Sequence, residues 1–468
     1  MAETIDTQLV VLGAGPGGYA AAFLAADKGR KVALIDASPR PGGTCLQVGC
    51  IPSKALLHAA KVITDARDAA HLGIKFAAPG IDVQAIRGHA AKVVDTLSAS
   101  LARLCKVRNV AYVNGRGRFV DGRTLQVENG PTVRFEHAIV ATGSTPVRPP
   151  SLNLASPRVM DSTGALELKD VPEKFLVVGG GYIGLELGYV YAALGSKVTV
   201  VELTDGLLPG VDRELVRPLQ KRLEAMFDKI YLNTKVAKLE EAPGGIKAFL
   251  EGEELSEREP VFGRVLVAVG RRPSSRDLGL EKAGVEVDEK GFIKVDAQRK
   301  TTADRIYAIG DVAGEPMLAH KATYEGKIAA EAILGEKVAY DVRAVPAVVF
   351  TDPEIAWCGL TETEAKKQGR EVKAVRFAWA GSGRALTLGR TEGLTKLLVD
   401  PETERVLGVG IVGVEAGEMI SEALLAIEMS ASARDVALTM HPHPTLSETV
   451  MEAAEMFYGA STHHPPRK

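Results

Sequence analysis

Cysteine is scarce in this chain: four residues in 468. That excludes the disulfide scaffold of a small secreted domain and points to a reducing compartment, the cytoplasm. Cys105 and Cys358 stand alone and are expected to be packing residues, whereas Cys45 and Cys50 sit close together in GGTCLQVGCIPSK and are expected to do chemistry. An excess of one charge sign is also missing. With 57 basic against 59 acidic residues the formal net charge is -2, so no field gathers nucleic acid or anionic lipid, and neither is expected as a partner. The one long run without charge, Leu9 to Ala26, has an acidic flank (Glu3, Asp6) and contains Gly13, Gly15, Pro16, Gly17 and Gly18, so it is read as neither a signal segment nor a membrane span.

What is present is a repeat. TQLVVLGAGPGGYAAAFLAADKGRKVALID reads as strand, glycine turn, alanine-rich helix and strand, ending at Asp36; KFLVVGGGYIGLELGYVYAALGSKVTVVE repeats the plan and ends at Glu202. In both, the acid stands 23 residues past the first glycine. Two G-x-G-x-x-G fingerprints in this setting predict two dinucleotide sites. Gly13 and Gly179 would permit the tight turn, Gly15 and Gly181 the approach of backbone to a pyrophosphate, and Gly18 and Gly184 the packing of helix on strand. Each helix N-terminus would then face the anion. Asp36 and Glu202 would accept hydrogen bonds from ribose hydroxyls, which disfavours a phosphorylated ribose and favours NAD over NADP in the second site. Three further apolar strands stop at glycine: AIVATGS (138–144), VLVAVGR (265–271) and IYAIGDV (306–312). In the last, Asp311 bonds either a polyol hydroxyl or its own backbone.

The predicted organisation is α/β, in about three domains. A first dinucleotide-binding domain covers 1–145, a second is inserted at 146–275, and the first resumes as a central part over 276–345. Over 346–468 the strands TKLLVD and VLGVGIVG precede the helix AGEMISEALLAIEMSA, an α+β domain without a nucleotide fingerprint. Its polar tail, STHHPPRK, is expected to lack fixed structure.

A straight helix would hold Cα atoms five residues apart at about 8.6 Å, beyond the ~7 Å reach of a disulfide. Cys45 and Cys50 can therefore bond only where the helix is distorted. Gly49 and Pro52 permit that, and strain of this kind makes a disulfide easier to reduce. No second cysteine pair or histidine cluster stands at metal spacing, and no metal is expected.

GGTCLQVGCIPSK closely resembles the redox-active segment of the flavoprotein disulfide reductases, and the two fingerprints, ATGS, AIGDV and the late HPHPTLSE stand in that family's order across essentially the whole chain. The resemblance implies two Rossmann-like domains of the glutathione reductase-like kind plus a C-terminal dimerisation domain, with FAD in the first site and NAD in the second. It is closest to the lipoyl-oxidising branch. It thus implies reoxidation of protein-bound dihydrolipoamide to lipoamide, with electrons passing through a Cys45–Cys50 disulfide and FAD to NAD+, in the E3 role of 2-oxoacid dehydrogenase complexes. The partners implied are a second copy, in a homodimer, and the lipoyl domain of an E2 acyltransferase or the glycine cleavage carrier protein.

Residue by residue, the resemblance makes Cys50 the flavin-facing sulfur and Cys45 the interchange sulfur. His443 becomes the base, Glu448 the holder of its other ring nitrogen, and their loop reaches the active site of the partner subunit. For FAD it implies contacts at Gly13, Gly15, Gly18, Asp36, Gly43, Thr44, Lys54 and Gly117, at Thr142, Gly143 and Ser144, at Gly310 and Asp311, and along Met317, Leu318, Ala319 and His320. For NAD it implies Gly179, Gly181, Tyr182, Ile183, Gly184, Glu186, Glu202 and Gly270. Glu186 would pair with Lys54, and Tyr182 would screen the flavin.

The chain departs from the family's common residues at Asp36 (Glu), Gln47 (Asn) and Pro442 (Ala), none of which is a reacting group. His441 is a rival for the base, and HPHP by itself would read as a rigid turn. A glutathione reductase would need basic residues after the second unit's strand, and VVELTDGLLPG has none; a mercuric reductase would need a late cysteine pair, and AAEMFYGASTHHPPRK has none. A flavin transhydrogenase would lack Cys45 and Cys50. A non-catalytic FAD-binding subunit would have no use for these cysteines, His443 and Glu448.

Overall fold

A computed structural model describes residues 3–464. The chain opens with the βαβ unit β1 (Thr4–Leu12), α1 (Pro16–Asp27) and β2 (Val32–Asp36). It continues through α2 (Gly43–Val48), α3 (Cys50–Asp68), α4 (Val83–Val107), β3 (Ala111–Asn114), β4 (Gly117–Asp121), β5 (Thr124–Val127), β6 (Thr132–Val140) and β7 (Ser144–Pro146). An insertion follows, with β8 (Val159–Met160), α5 (Ser162–Leu166), β9 (Lys174–Val178), α6 (Tyr182–Leu194), β10 (Lys197–Val201), α7 (Arg213–Met226) and β11 (Lys229–Tyr231). It closes with β12 (Lys235–Ala242), β13 (Gly245–Glu251), β14 (Val261–Phe262) and β15 (Arg264–Val267). The chain returns through β16 (Arg271–Pro273), β17 (Ile306–Ala308) and α8 (Ala319–Ile333). It ends in β18 (Ala347–Val349), β19 (Glu354–Gly359), α9 (Glu362–Gln368), β20 (Lys373–Ala378), α10 (Gly383–Leu388), β21 (Leu394–Val399), β22 (Val406–Gly413), α11 (Ala416–Glu428), α12 (Ala433–Leu438) and α13 (Glu448–Phe457).

Two compact units result. One gathers the residues up to Leu56, Val83–Val147 and Gly270–Asp341; the other gathers Leu57–Asp82, Arg148–Val269 and the chain from Val342 onward. In the first, the sheet order is β3-β2-β1-β6-β5-β4, with β17 also on β6. β6 is shared: one side pairs parallel with β1, while the other pairs antiparallel with β5 at its start and parallel with β17 at its end. β7 and β16 pair antiparallel as a two-stranded ribbon where the chain leaves and re-enters this unit. α1 lies on α8 almost backbone to backbone, since a Cβ at Gly326 would stand 2.4 Å from the Gly17 carbonyl oxygen.

The second unit repeats the crossover in its own parallel sheet, β11-β10-β9-β15-β8, beside the antiparallel β12-β13-β14 and the five-stranded antiparallel β18-β19-β22-β21-β20. β9 and β10 are buried at four of five positions, as expected of parallel strands covered on both faces. Cys105 and Cys358 are buried, and burial pushes the Cys358 thiol up to about 12, so both are inert packing groups. Among the described residues no helix is long and apolar enough to cross a membrane.

Inside this unit Lys396, 1% exposed, directs its ammonium at Asp212 Oδ2 (2.7 Å), Glu214 Oε1 (2.5 Å) and Glu362 Oε2 (2.6 Å). Burial alone would lower its pKa; the three carboxylates outweigh that and raise it. Removing the cation leaves three acids with one arginine, Arg376, between two of them. Lys396→Met is therefore expected to cost about 3–5 kcal/mol in urea unfolding; a loss under ~1 kcal/mol would show that the cluster is well solvated.

The tail departs from expectation. Ser461 Oγ donates to Glu452 Oε2 at 2.5 Å and the His463 ring bonds Glu452 Oε1, so a buried carboxylate of α13 ties down its first part. The rest of the tail, 465–468, lies outside the described residues.

Candidate active site

The two fingerprint loops share their geometry as well as their sequence. Gly13 and Gly179 both have φ of 108°. A Cβ at Gly13 would stand 2.2 Å from the Ala141 oxygen, just past β6, and one at Gly179 would stand 2.4 Å from the Ala268 oxygen, just past β15. Each first glycine thus packs across the point where strand order reverses, which is where nucleotides bind in open α/β sheets. The third glycines are equally constrained: a Cβ at Gly18 would meet the Gly13 oxygen at 1.8 Å, and one at Gly184 the Gly179 oxygen at 2.2 Å.

The acids do more than the sequence suggests. Asp36 accepts from Ala14 N (2.6 Å) and Ser38 N (2.8 Å); Glu202 accepts from Gly180 N (2.6 Å) and Thr204 N (2.8 Å). Both fix the glycine turn before any ribose arrives, and the shorter Asp36 reaches its loop as closely as Glu202 does. Burial raises the Asp36 pKa, an effect the two backbone donors only partly offset. The repeat extends further still, to Gly143 and Gly270, which both have positive φ and open space where a Cβ would be.

Both loops fit a dinucleotide. A Cβ at Gly15 or Gly181 would meet nothing within 4 Å, and neither α1 nor α6 has a side-chain cap, so their first N–H groups are left for an anion. Gly181→Ala is expected to change apoprotein stability by no more than about 0.5 kcal/mol while raising the KM for NAD+ roughly tenfold. Gly184→Ala, by contrast, should unfold at clearly lower denaturant. Equal effects of the two on stability would contradict the assignment.

The cysteine segment is built onto the first loop. Gly42 and Gly43 take φ of 132° and 61°, and a Cβ at Gly43 would stand 2.5 Å from Gly15 Cα. Thr44, exposed, and Cys45 follow in α2, which ends at Gly49, where φ is -142° and ψ -115°; Cys50 then starts α3. The helix is broken where the sequence requires it, and a Cβ at Gly49 would stand 2.8 Å from the Thr44 oxygen. The two cysteine side chains are in hydrogen-bonding contact. The bond from Cys50 and burial both push the Cys45 thiol well above its ordinary pKa, with Lys54 pulling the other way. Gln47, in place of asparagine, accepts from Ser38 Oγ (3.0 Å) and donates to the Arg40 carbonyl (2.5 Å), so the longer amide braces the preceding loop.

Of the other predicted positions of this unit, Ser144 bonds Asp311 directly. Ser144 Oγ donates to Asp311 Oδ2 (2.6 Å) and accepts from Arg271 Nε (2.8 Å); Thr142 Oγ1 donates to the Ser274 carbonyl (2.8 Å). Asp311 follows Gly310 (φ 72°) in a single turn of 3-10 helix. Met317 and Leu318 precede Ala319 and His320, which open α8. Gly117 differs in kind: its Cβ would meet Leu12 and Ile35 side chains inside the sheet, so its small size serves packing. Arg271 was not among the predicted residues, although it stands directly after the glycine of VLVAVGR.

In the other unit Tyr182 and Ile183 open α6, with Tyr182 41% exposed. Glu186 is buried, and its Oε1 accepts from Phe350 N at 3.0 Å. The histidine loop gives its two rings different surroundings. His441, its side chain 4% exposed, has both nitrogens engaged, with Glu422 Oε1 at 2.7 Å and the Thr439 carbonyl at 2.8 Å. His443 is 71% exposed; Nδ1 bonds Glu448 Oε1 at 2.9 Å, and Nε2 has no partner among the described residues. Glu448 Oε2 accepts from Thr445 N at 2.7 Å, while Thr445 Oγ1 donates to the carbonyl of Pro442. Burial pushes the Glu448 pKa up, but Thr445 N–H and His443 outweigh it and hold the carboxyl below its usual range. This stabilisation is present above the unfolded value of about 4.3 and disappears as pH falls through the lower folded one.

Comparison with known proteins agrees with this geometry. The sequence matches the family described as pyridine nucleotide-disulphide oxidoreductase over residues 7–326, and that family's dimerisation domain over 345–454. A dihydrolipoyl dehydrogenase of Vibrio parahaemolyticus is 47% identical over 471 residues, covering 100% of this chain and 99% of that protein. One from Thermus scotoductus is 47% identical, covering 97% and 98%. Among solved structures, LpdA from Mycobacterium tuberculosis superposes with a TM-score of 0.89 at 28% identity, covering 96% of this chain and 99% of that one. The HOCl-induced flavoprotein disulfide reductase RclA from Escherichia coli gives 0.85 at 30% identity, covering 96% and 99%. Two nucleotide-binding βαβ units, a redox-type cysteine pair and a dimerisation domain thus occur in one chain, which belongs to the pyridine nucleotide-disulphide oxidoreductase family.

Proposed function

We propose that the protein works as a dihydrolipoyl dehydrogenase, reoxidising protein-bound dihydrolipoamide to lipoamide and reducing NAD+. The observation that carries this reading is the break at Gly49, which brings two cysteines together on a segment packed against the first nucleotide loop. Residues 1–145 and 276–345 would form the FAD domain, 146–275 the NAD domain and 346–468 the dimerisation domain.

In the oxidised protein Cys45 and Cys50 form a disulfide. His443 Nε2 takes the proton of one substrate thiol, since only the thiolate attacks sulfur. Attack at Cys45 Sγ forms a mixed disulfide and expels Cys50 as a thiolate. The second substrate thiol then closes the lipoyl ring, its proton passing to the departing Cys45 sulfur, so two electrons have moved from substrate dithiol to the protein sulfurs with one proton on His443 and one on Cys45. Glu448, bonded to Nδ1, fixes the tautomer that exposes Nε2 and stabilises the imidazolium. Lys54, one helical turn beyond Cys50, favours the Cys50 thiolate. Bound FAD supplies two-electron transfer between this dithiol and the nicotinamide of NAD+.

The FAD site would be lined by the first fingerprint, Thr142–Ser144 and Asp311, and the NAD site by the second fingerprint, Glu186, Glu202 and Gly270. We place the protein in the cytoplasm as a homodimer whose histidine loop completes the partner's site, with a lipoyl domain as its substrate carrier. NAD+ reduction by dihydrolipoamide, assayed on the flavin-loaded dimer, tests the proposal. Material that oxidises NADH with an artificial acceptor yet ignores both lipoamide and dihydrolipoamide would sink it.

A further inference from the structure

Glu325, on α8, is completely buried, far from any reacting sulfur in the sequence, and bonded in three directions. Its Oε2 accepts from Gly310 N at 2.6 Å, and its Oε1 meets Lys321 Nζ at 3.0 Å and Arg299 Nη1 at 3.0 Å. Lys321, 5% exposed, also donates to the Gly314 carbonyl at 3.0 Å. Two members of this buried three-residue cluster, Glu325 and Lys321, thus grip both ends of the turn Gly310–Gly314, which carries Asp311. Gly310 sits at φ of 72°, and Asp311 Oδ2 is already committed to Ser144 Oγ at 2.6 Å, so the turn is fixed from above and below. The base of the clamp does not move freely either, because Gly326, the next residue of α8, packs on Gly17 of α1.

A buried ion pair is weak support for stability, since desolvation offsets most of the Coulomb gain, and an apolar pair of similar size often serves the fold as well. Gripping a turn is a more specific task. We propose that Glu325, with Lys321, is a positioning residue that holds the Asp311 turn in the conformation that accepts a flavin's polyol chain. This rests on the reading that Gly310 and Asp311 line the FAD site.

The test replaces the pair with apolar residues, E325L/K321M, in the full-length dimer stripped of flavin and titrated with FAD. The expected result is far-ultraviolet circular dichroism close to wild type and an unfolding midpoint lowered because Arg299 loses its carboxylate partner, with the dissociation constant for FAD, measured where the protein is fully folded, raised about 10- to 30-fold, as expected for loss of one or two buried hydrogen bonds to the turn. The bound flavin should also lose the resolved shoulder of its visible absorption, which a purely structural role would leave in place. FAD affinity within about twofold of wild type, in a protein that folds, would overturn the proposal. Should the double variant not fold, E325Q keeps an acceptor but loses the charge that holds Lys321 and Arg299; faster FAD release supports the clamp, and an unchanged release rate overturns it. A wild-type apoprotein that takes up no FAD would sink the flavin reading itself, and this proposal with it.

Discussion

Cys45→Ser is expected to bind FAD as wild type does and to oxidise NADH with an artificial acceptor at an unchanged rate, while turnover of dihydrolipoamide falls by at least about 10³-fold. The reason is electronic and local. A serine at position 45 occupies the same turn of α2, so the break at Gly49 and the packing of Gly43 on Gly15 remain. In the proposed mechanism what is lost is the sulfur that joins Cys50 and is attacked by substrate. Cys105 and Cys358 cannot substitute, being buried with thiol pKa values raised by burial. Parallel assays of the two half-reactions decide the matter: equal loss in both would mean the substitution had damaged the flavin site, and no loss in either would remove sulfur from the pathway.

His443→Gln is expected to slow dithiol oxidation by about 10²–10⁴-fold, the usual worth of a positioned general base, with little effect on NADH oxidation by an artificial acceptor. Glutamine can still bond Glu448, so the loop geometry set by the 2.7 Å bond from Thr445 N survives and the loss isolates proton transfer. His441→Gln provides the contrast. Its ring is enclosed and engaged at both nitrogens, so its replacement should lower stability more than it lowers turnover. Similar slowing by the two substitutions would point away from His443 as the base. Slowing of both half-reactions by His443→Gln would move its role from the proton to the structure of the site.

Much of this site is legible in the sequence because its determinants are local. Glycines at turn positions, the period change from strand to helix and the acid at the next strand end all lie within one βαβ unit, and the break between Cys45 and Cys50 follows from the glycine between them. What is not legible is which distant groups meet. The sequence suggests that Asp36 and Glu202 wait for ribose, but both carboxylates first hold their own loops, a choice that depends on where strand ends fall in space. The Lys396 cage joins Asp212 across 184 residues. Glu325 reaches Gly310 and Arg299 from the middle of α8, beyond the positions at its start that the resemblance singles out. The polar composition of STHHPPRK suggests a loose end, yet one buried acid on the preceding helix is enough to hold its first residues. His441 and His443 carry the same ring, and the structure separates them by burial and by how many ring nitrogens are engaged.

The most direct measurement is a count of thiols in the flavin-loaded protein under anaerobic conditions, by alkylation and mass spectrometry, before and after one equivalent of NADH. Cys45 and Cys50 should resist alkylation beforehand because they are joined, and both should become labelled afterwards while Cys105 and Cys358 do not change. Reduction that yields no new thiols, or yields them only at Cys105 or Cys358, would contradict that pairing.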